Sequence, residues 1–367
     1  MMKQSTRAFI SGLAVLLLVA CSGRGEPAAA AASGSGSGAV APQPPGAEIR
    51  MDGSSTLLPL SEAVAEEFQK QRPSRVTVRA SGTGGGFQKF CSGEVDLAGA
   101  SRPIRPAESR ACADKGVAFV EVAVAYDALS VVVNPQNSWV DFLTVEELKR
   151  MWAPDSQKRV TKWSQVRSSW PEEEIRLFGA GVDSGTYDYF TKAIVGAEHA
   201  SRGDYTSSED DNVLVQGVST DKVALGFFGY SYFAENAGKL RVVPIDDGIA
   251  ANGPGPVAPS PATVLAGTYQ PLARPLFVYV SAASLARPEV KELVGFYVAN
   301  ASRLAKEVGF IPLAASTSAA VQARFVAGKT GTIFPDGSSV GVKLDEVLKA
   351  SEAGVAAGSG SGAPSGK

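Results

Sequence analysis

Three short stretches of this sequence hold the residue types that grip an anion. They are Asp52-Gly53-Ser54-Ser55-Thr56, Ser81-Gly82-Thr83-Gly84-Gly85-Gly86 and Asp183-Ser184-Gly185-Thr186. Each stands between a strand pattern and an amphipathic helix pattern. A helix N-terminus leaves backbone N–H groups unpaired and carries a partial positive charge, hydroxyls add donors, and glycine lets the backbone come close. Together they cradle an anion without a net-positive protein. Any single loop also reads as a plain helix cap, since Ser, Thr and Asp are favoured at that position. Three of them at the carboxyl ends of candidate strands, where α/β proteins hold their ligands, point to a binding site.

The same sequence offers little for catalysis. Its 367 residues include one histidine, His199, which excludes multi-histidine zinc sites and HExxH motifs. Three cysteines without a CxxC exclude iron–sulfur and zinc-ribbon readings. Gly337-Ser338-Ser339-Val340-Gly341 fits GxSxG, but no histidine follows the serine. Gly328-Lys329-Thr330 ends like a Walker A loop, yet Ala323 stands where glycine is required. Lys329-Thr330-Gly331 with Ser219-Thr220-Asp221-Lys222 lacks the Ser-Asp-Asn of penicillin-binding enzymes. His199 reads as a solvated loop residue, and Trp139, Trp152, Trp163 and Trp170 as packing rather than a sugar platform. With 35 basic and 37 acidic residues the net charge is −2, which gives nucleic acid no purchase. The expectation is a binding protein without enzymatic activity, metal or cofactor.

The elements that must position the loops alternate along the chain. The apolar spacing Leu60, Ala63, Val64, Phe68 predicts a helix after the first loop, and Phe87 and Phe90 one after the second. Tyr187, Phe190 and Ile194 mark a third. Strand patterns cover Glu48 to Met51, Arg75 to Ala80, Val95 to Ala100, Val117 to Val124, Ala128 to Val133, Ile175 to Phe178, Leu240 to Val243 and Leu276 to Val280. Further helices are predicted over Val145 to Trp152, Val213 to Val218 and Pro288 to Val308. The alternation argues for an α/β fold with largely parallel sheets.

Both ends stand apart from the fold. Residues 1–20 carry Lys3 and Arg7 ahead of an apolar run from Phe9 to Ala20, the pattern of a secretory signal and too short to span a bilayer. Leu18-Val19-Ala20-Cys21 resembles the bacterial lipoprotein signal, which implies a lipid on Cys21. Residues 21–47 are a Gly/Ala/Ser/Pro tether of roughly 25–30 Å reach, and residues 351–367 a disordered tail. Loss of residues 1–20 leaves 33 basic against 37 acidic residues, a charge of −4. In the oxidising compartment that export implies, Cys91 and Cys112 are the remaining cysteines, and we expect them to pair.

At a larger scale the motifs resemble one family. Ser54-Ser55-Thr56, Ser81 to Phe87, Gly99-Ala100-Ser101-Arg102-Pro103-Ile104, Asp183 to Thr186, Glu209 to Asn212, Gly226 to Tyr230 and Tyr269 to Leu276 are similar to the phosphate-binding proteins of the phosphate-specific ABC transporter. The resemblance covers roughly residues 48 to 315. It implies a two-lobed periplasmic-binding-protein-like fold with the ligand cleft between lobes: 48–127 with 273–350, and 128–272. It implies crossings near Tyr126-Asp127 and Ala273-Arg274, and a phosphate held by Ser55, Thr56, Leu57, Thr83, Ser101, Ser184, Gly185 and Thr186. Where other members have an aspartate after the serine of the third motif, this chain has Arg102, and Asp183 precedes Ser184. The reading is that the charged partners are exchanged, with Arg102 as charge clamp and Asp183 accepting the hydrogen phosphate proton. The implied partners are inorganic phosphate and the permease and ATPase subunits of a transporter, met by a monomer on a membrane-anchoring lipid. The competing reading is a receptor for another oxyanion, or a surface adhesin or scavenger on the same fold.

Overall fold

The computed structural model describes residues 46–339 and 342–352. The expected signal, Cys21, the tether before residue 46 and the tail from residue 353 lie outside the described residues, as do Val340 and Gly341. The chain opens with β1 (Gly46–Gly53), α1 (Leu58–Gln71), β2 (Ser74–Ala80), α2 (Gly82–Cys91), β3 (Leu97–Ala100) and α3 (Pro106–Asp114). A long strand β4 (Phe119–Val133) leads to β5 (Leu143–Thr144), α4 (Val145–Trp152), β6 (Arg176–Ala180), α5 (Gly185–Phe190), β7 (Thr206–Ser208), α6 (Asp211–Thr220) and β8 (Ala224–Gly229). After α7 (Tyr230–Glu235), β9 (Arg241–Val242), β10 (Ile245–Asp246) and α8 (Pro261–Leu265), β11 (Ala273–Ser281) brings the chain back. Helices α9 (Pro288–Glu307), α10 (Ala315–Val326) and α11 (Leu344–Glu352) follow.

The strands lie in the order β2-β1-β3-β11-β4-β8-β6-β7, with β9 beside β4. The two strands expected over Val117 to Val124 and Ala128 to Val133 are one. No glycine or proline interrupts Phe119–Val133, and all of it is buried. Its first part pairs with β11, whereas Leu129 to Val133 pairs with β8. The strand therefore leaves one lobe and enters the other without a break. The expectation of largely parallel sheets is corrected here. β1 runs parallel to β2 and β3, and β6 to β7 and β8, but β4 and β11 are antiparallel to each other and to their neighbours. One crossing strand carries the chain outward and the other returns it, so their directions must oppose.

Each lobe has its own aromatic packing. Tyr279 meets Phe87 and Phe119 edge-on in the first lobe. In the second, Trp152 meets Phe190, Tyr205 and Phe227 edge-on, and Trp163 packs between Trp139 and Trp170. The four tryptophans are thus in packing contacts. Cys91 and Cys112 form a disulfide that ties the end of α2 to α3. Among the described residues, no helix is long and apolar enough to cross a membrane, and no three His, Cys, Asp or Glu are grouped so as to hold a metal ion.

Candidate functional site

The wall contributed by the first lobe is built backbone against backbone. Gly53 ends β1 with φ +149°, and a Cβ placed there would lie 2.1 Å from the Gly99 carbonyl oxygen at the end of β3. A Cβ on Gly86 would lie 2.5 Å from Gly53 Cα. Glycine is required because nothing larger fits where two strand ends meet the first turns of α2. The Ser54 N–H donates to Gly99 O at 2.9 Å and the Ser81 N–H to Gly53 O at 3.0 Å. Behind them Asp52, 2% exposed, accepts from Ser81 Oγ at 2.6 Å and Lys89 Nζ at 2.5 Å. Burial works to raise its pKa, but the Lys89 and Ser81 hydrogen bonds outweigh it and hold the carboxyl below its ordinary value. The ionised Asp52 therefore pins the second loop. Thr83 Oγ1 lies 3.1 Å from Ser101 Oγ and accepts the Ser101 N–H at 3.2 Å, joining the second and third motifs.

The second lobe meets this wall at Gly185. Ser184 caps α5 through its Oγ, which accepts the Thr186 N–H at 3.2 Å. A Cβ on Gly185 would lie 2.4 Å from Thr56 Oγ1 and 2.9 Å from Ser55 Oγ, so the lobes touch there through a glycine. Arg274 spans the contact. Its Nη2 donates to Thr56 Oγ1 at 2.8 Å and to the Gly185 carbonyl at 3.3 Å, and its Nε to Asp127 Oδ2 at 3.3 Å. The register of the two crossing strands sets Arg274 beside Asp127. The guanidinium lies 3.8 Å over the Tyr189 ring, and its side chain is 11% exposed. Burial raises the pKa of Asp127, and Arg274 opposes that rise. A largely buried cation thus sits where both lobes, two helix N-termini and a crossing strand converge.

Around this point is a cavity of about 680 Å³. Ser54 to Thr56, Ser81 to Gly85, Ser101, Arg102, Gly185 and Arg274 line it. Asp188, Lys192, Glu198, His199 and the segment Gly337-Ser338-Ser339 line it as well. His199 Nε2 is 3.4 Å from Asp188 Oδ1. Burial raises the pKa of Asp188, with His199 acting against it. Asp188 Oδ1 is buried and accepts no hydrogen bond.

Comparison with known proteins identifies the family. Residues 28–301 match the family described as a PBP superfamily domain. The chain is 50% identical over 305 residues to protein SphX of Synechococcus elongatus, covering 83% of this chain and 89% of that one. It is 34% identical to the phosphate-binding protein PstS of Staphylococcus saprophyticus, covering 82% and 87%. A crystal structure of a possible phosphate binding protein from Planctomyces limnophilus is 49% identical and superposes with a TM-score of 0.72 over 77% of this chain and 98% of that one. The chain belongs to this superfamily, and within it to the family of SphX and PstS.

Within this PBP-superfamily member, the residues expected from sequence fall into two groups. Ser55, Thr56, Thr83, Ser101, Arg102 and Gly185 line the cavity. Leu57, Asp183, Ser184 and Thr186 are not in its wall. The Leu57 side chain is fully buried in the core, Asp183 is exposed with its N–H on Glu209 Oε1 at 3.3 Å, and the Thr186 N–H is engaged by the Ser184 cap. Arg102 is already gripped from behind. Its Nη1 and Nη2 donate to the Glu108 carboxylate at 2.8 and 2.7 Å. Glu108 also accepts the Arg105 N–H at 2.8 Å, so the pair closes the turn into α3. Arg274 and Asp188 line the cavity without having been expected there from the sequence. Arg274 stood inside the quoted Tyr269 to Leu276 motif, and its conjunction with a tyrosine-proline turn was the available signal. Asp188 lies four residues past Ser184, one helical turn beyond the capped serine. His199, read as a solvated loop residue, is largely exposed but faces this cavity.

Proposed function

We propose that this protein binds inorganic phosphate outside the cytoplasmic membrane and delivers it to the permease and ATPase subunits of an ABC transporter. The observation that carries the reading is Arg274, a largely buried guanidinium set between the hydroxyl-bearing N-termini of α1 and α5. An arginine fork matches phosphate oxygens, and helix N-termini and hydroxyls complete the shell. In this reading Thr56, Thr83, Ser101 and Gly185 surround the anion and Arg274 supplies the charge that Arg102 was expected to supply. The proton acceptor is Asp188, whose buried Oδ1 accepts no hydrogen bond and lies 3.4 Å from His199 Nε2, in place of Asp183. Hydrogen phosphate offers that carboxylate a proton, whereas sulfate meets it with bare repulsion.

With the signal over residues 1–20 removed, a lipid on Cys21 would hold the two-lobed body at the periplasmic or cell-surface face of a membrane, where it works as a monomer and binds without chemistry. The lobes 48–127 with 273–350 and 128–272 would hinge where β4 and β11 cross, closing on the anion and excluding water. The test is isothermal titration with phosphate, arsenate, sulfate, molybdate and citrate. Phosphate and arsenate are expected to bind tightly and sulfate weakly; sulfate or citrate binding in preference to phosphate would refute the reading.

A further inference from the structure

The single histidine of the sequence, His199, is held more firmly than a solvated loop residue needs. Its backbone has φ +61°, in the left-handed region that few residues other than glycine enter. Two side chains of the preceding helical stretch fix that conformation from both flanks. The His199 N–H donates to Thr191 Oγ1 at 3.0 Å, and the His199 carbonyl accepts from Tyr187 Oη at 3.2 Å. Both partners are buried, and the Tyr187 hydroxyl also lies 2.8 Å from Ser201 Oγ. A strained backbone persists where its surroundings over-determine it, and such residues gather at ligand sites.

The result is a fixed pair. His199 Nε2 lies 3.4 Å from Asp188 Oδ1, and both residues line the cavity. The imidazole side chain is 63% exposed, so it exchanges protons freely with solvent. Burial raises the pKa of Asp188; His199 and Arg274 of β11 oppose that rise, and Glu198 adds to it. Lys192, four residues along from Asp188, and Arg102 and Arg105 of the first lobe line the same cavity. Arginine and lysine keep their charge through the neutral range, whereas an imidazole gains one between about pH 8 and 5. Protonation of His199 would take the pair from one negative charge to none.

An anion bound beside Asp188 feels that change. Hydrogen phosphate brings a proton for the carboxylate, whereas sulfate is a dianion throughout the neutral range and brings none. Sulfate therefore reports the titration of the protein and not its own. Resting on the phosphate reading above, we propose that His199 is a positioning residue that sets selectivity through Asp188. Neutral, it leaves the carboxylate to accept the phosphate proton and repel sulfate; protonated, it pairs with the carboxylate and admits sulfate.

Isothermal titration of the full chain with sulfate at about pH 8 and about pH 5.5 tests this. Sulfate affinity should rise about tenfold or more at the lower pH, the scale on which a neighbouring charge acts on a carboxylate. In His199→Asn, whose new side chain tolerates the left-handed backbone, the rise should shrink below about threefold, the remainder being protonation of Asp188 itself. His199→Lys carries its charge at both pH values, so its sulfate affinity should already be high at about pH 8. A merely structural role would weaken both anions at both pH values and leave the slope intact, which would overturn the proposal. Sulfate binding that is absent at both pH values, or equal at both, would also overturn it. So would a fall of more than about tenfold in phosphate affinity at about pH 8 in His199→Asn, the mark of a direct ligand contact. Failure of the unaltered chain to bind phosphate at all would strike the phosphate reading instead.

Discussion

The two walls of the cavity are made of different materials. On the first-lobe side Gly53 and Gly86 leave no space for side chains, a disulfide braces α2 against α3, and Asp52 is locked by Ser81 and Lys89. On the second-lobe side one short helix carries Asp188 and leads to Lys192, Glu198 and His199, polar side chains in the cavity wall. The first wall fixes donors in space; the second carries Asp188, whose pKa burial raises. Arg274 belongs to the strand between them and bonds to both. A receptor that must hold an anion and then release it needs one rigid partner and one adjustable partner.

The strongest way to break this comparison is to remove the residue that joins the walls. Arg274→Ala should cost about 2–5 kcal/mol of phosphate binding, because it also leaves Asp127 buried and unpaired. Titration of this variant beside Asp127→Asn separates the two contributions. The rigid wall can be loosened with Cys91→Ser/Cys112→Ser, which should lower folding stability by about 3 kcal/mol on the loop-entropy picture, measured by urea denaturation. Gly53→Ala should destabilise by about 1–3 kcal/mol through its clash with Gly99, whereas Gly84→Ala, within α2 and with nothing near its Cβ position, should stabilise by about 0.5–1 kcal/mol.

The adjustable wall is addressed by pH. Because burial raises the folded-state pKa of Asp188, the native protein takes up a proton above the ordinary carboxylate range. The contribution of Asp188 to stability is therefore present at low pH and lost as pH rises through its raised pKa. Asp188→Asn should flatten that slope in pH-dependent melts and should weaken the preference for phosphate over sulfate. The smallest effect is expected at Arg102: with its guanidinium committed to Glu108, Arg102→Ala should change phosphate affinity by no more than about 1 kcal/mol. A loss as large as that of Arg274→Ala would reverse the assignment of the two arginines.

The surroundings of the two arginines show where sequence reasoning stops. Arg102 follows a loop serine and looks available, but a carboxylate six residues later at Glu108 takes both of its guanidinium ends. Arg274 meets Asp127 from 147 residues away, and that pairing exists because β11 returns antiparallel to β4. The long strand itself was read as two, since local pattern cannot tell a strand that crosses between lobes from two that stop. The helices α1, α4 and α9, by contrast, carry regular apolar spacing and lie where that spacing puts them.

Local chemistry by itself determined the glycine- and hydroxyl-rich loops, the amphipathic helices behind them, the partnership of Cys91 with Cys112, and the poverty of catalytic groups. Each depends on residues close in the chain or on composition, so no long-range information is needed. Only the tertiary structure decided which arginine is buried at the meeting of the lobes, which carboxylate faces the cavity, and that Gly337 to Ser339 form one of its walls. Those outcomes depend on strand register and on burial, and a side chain's charge acquires its strength and its partner only when distant segments exclude water around it.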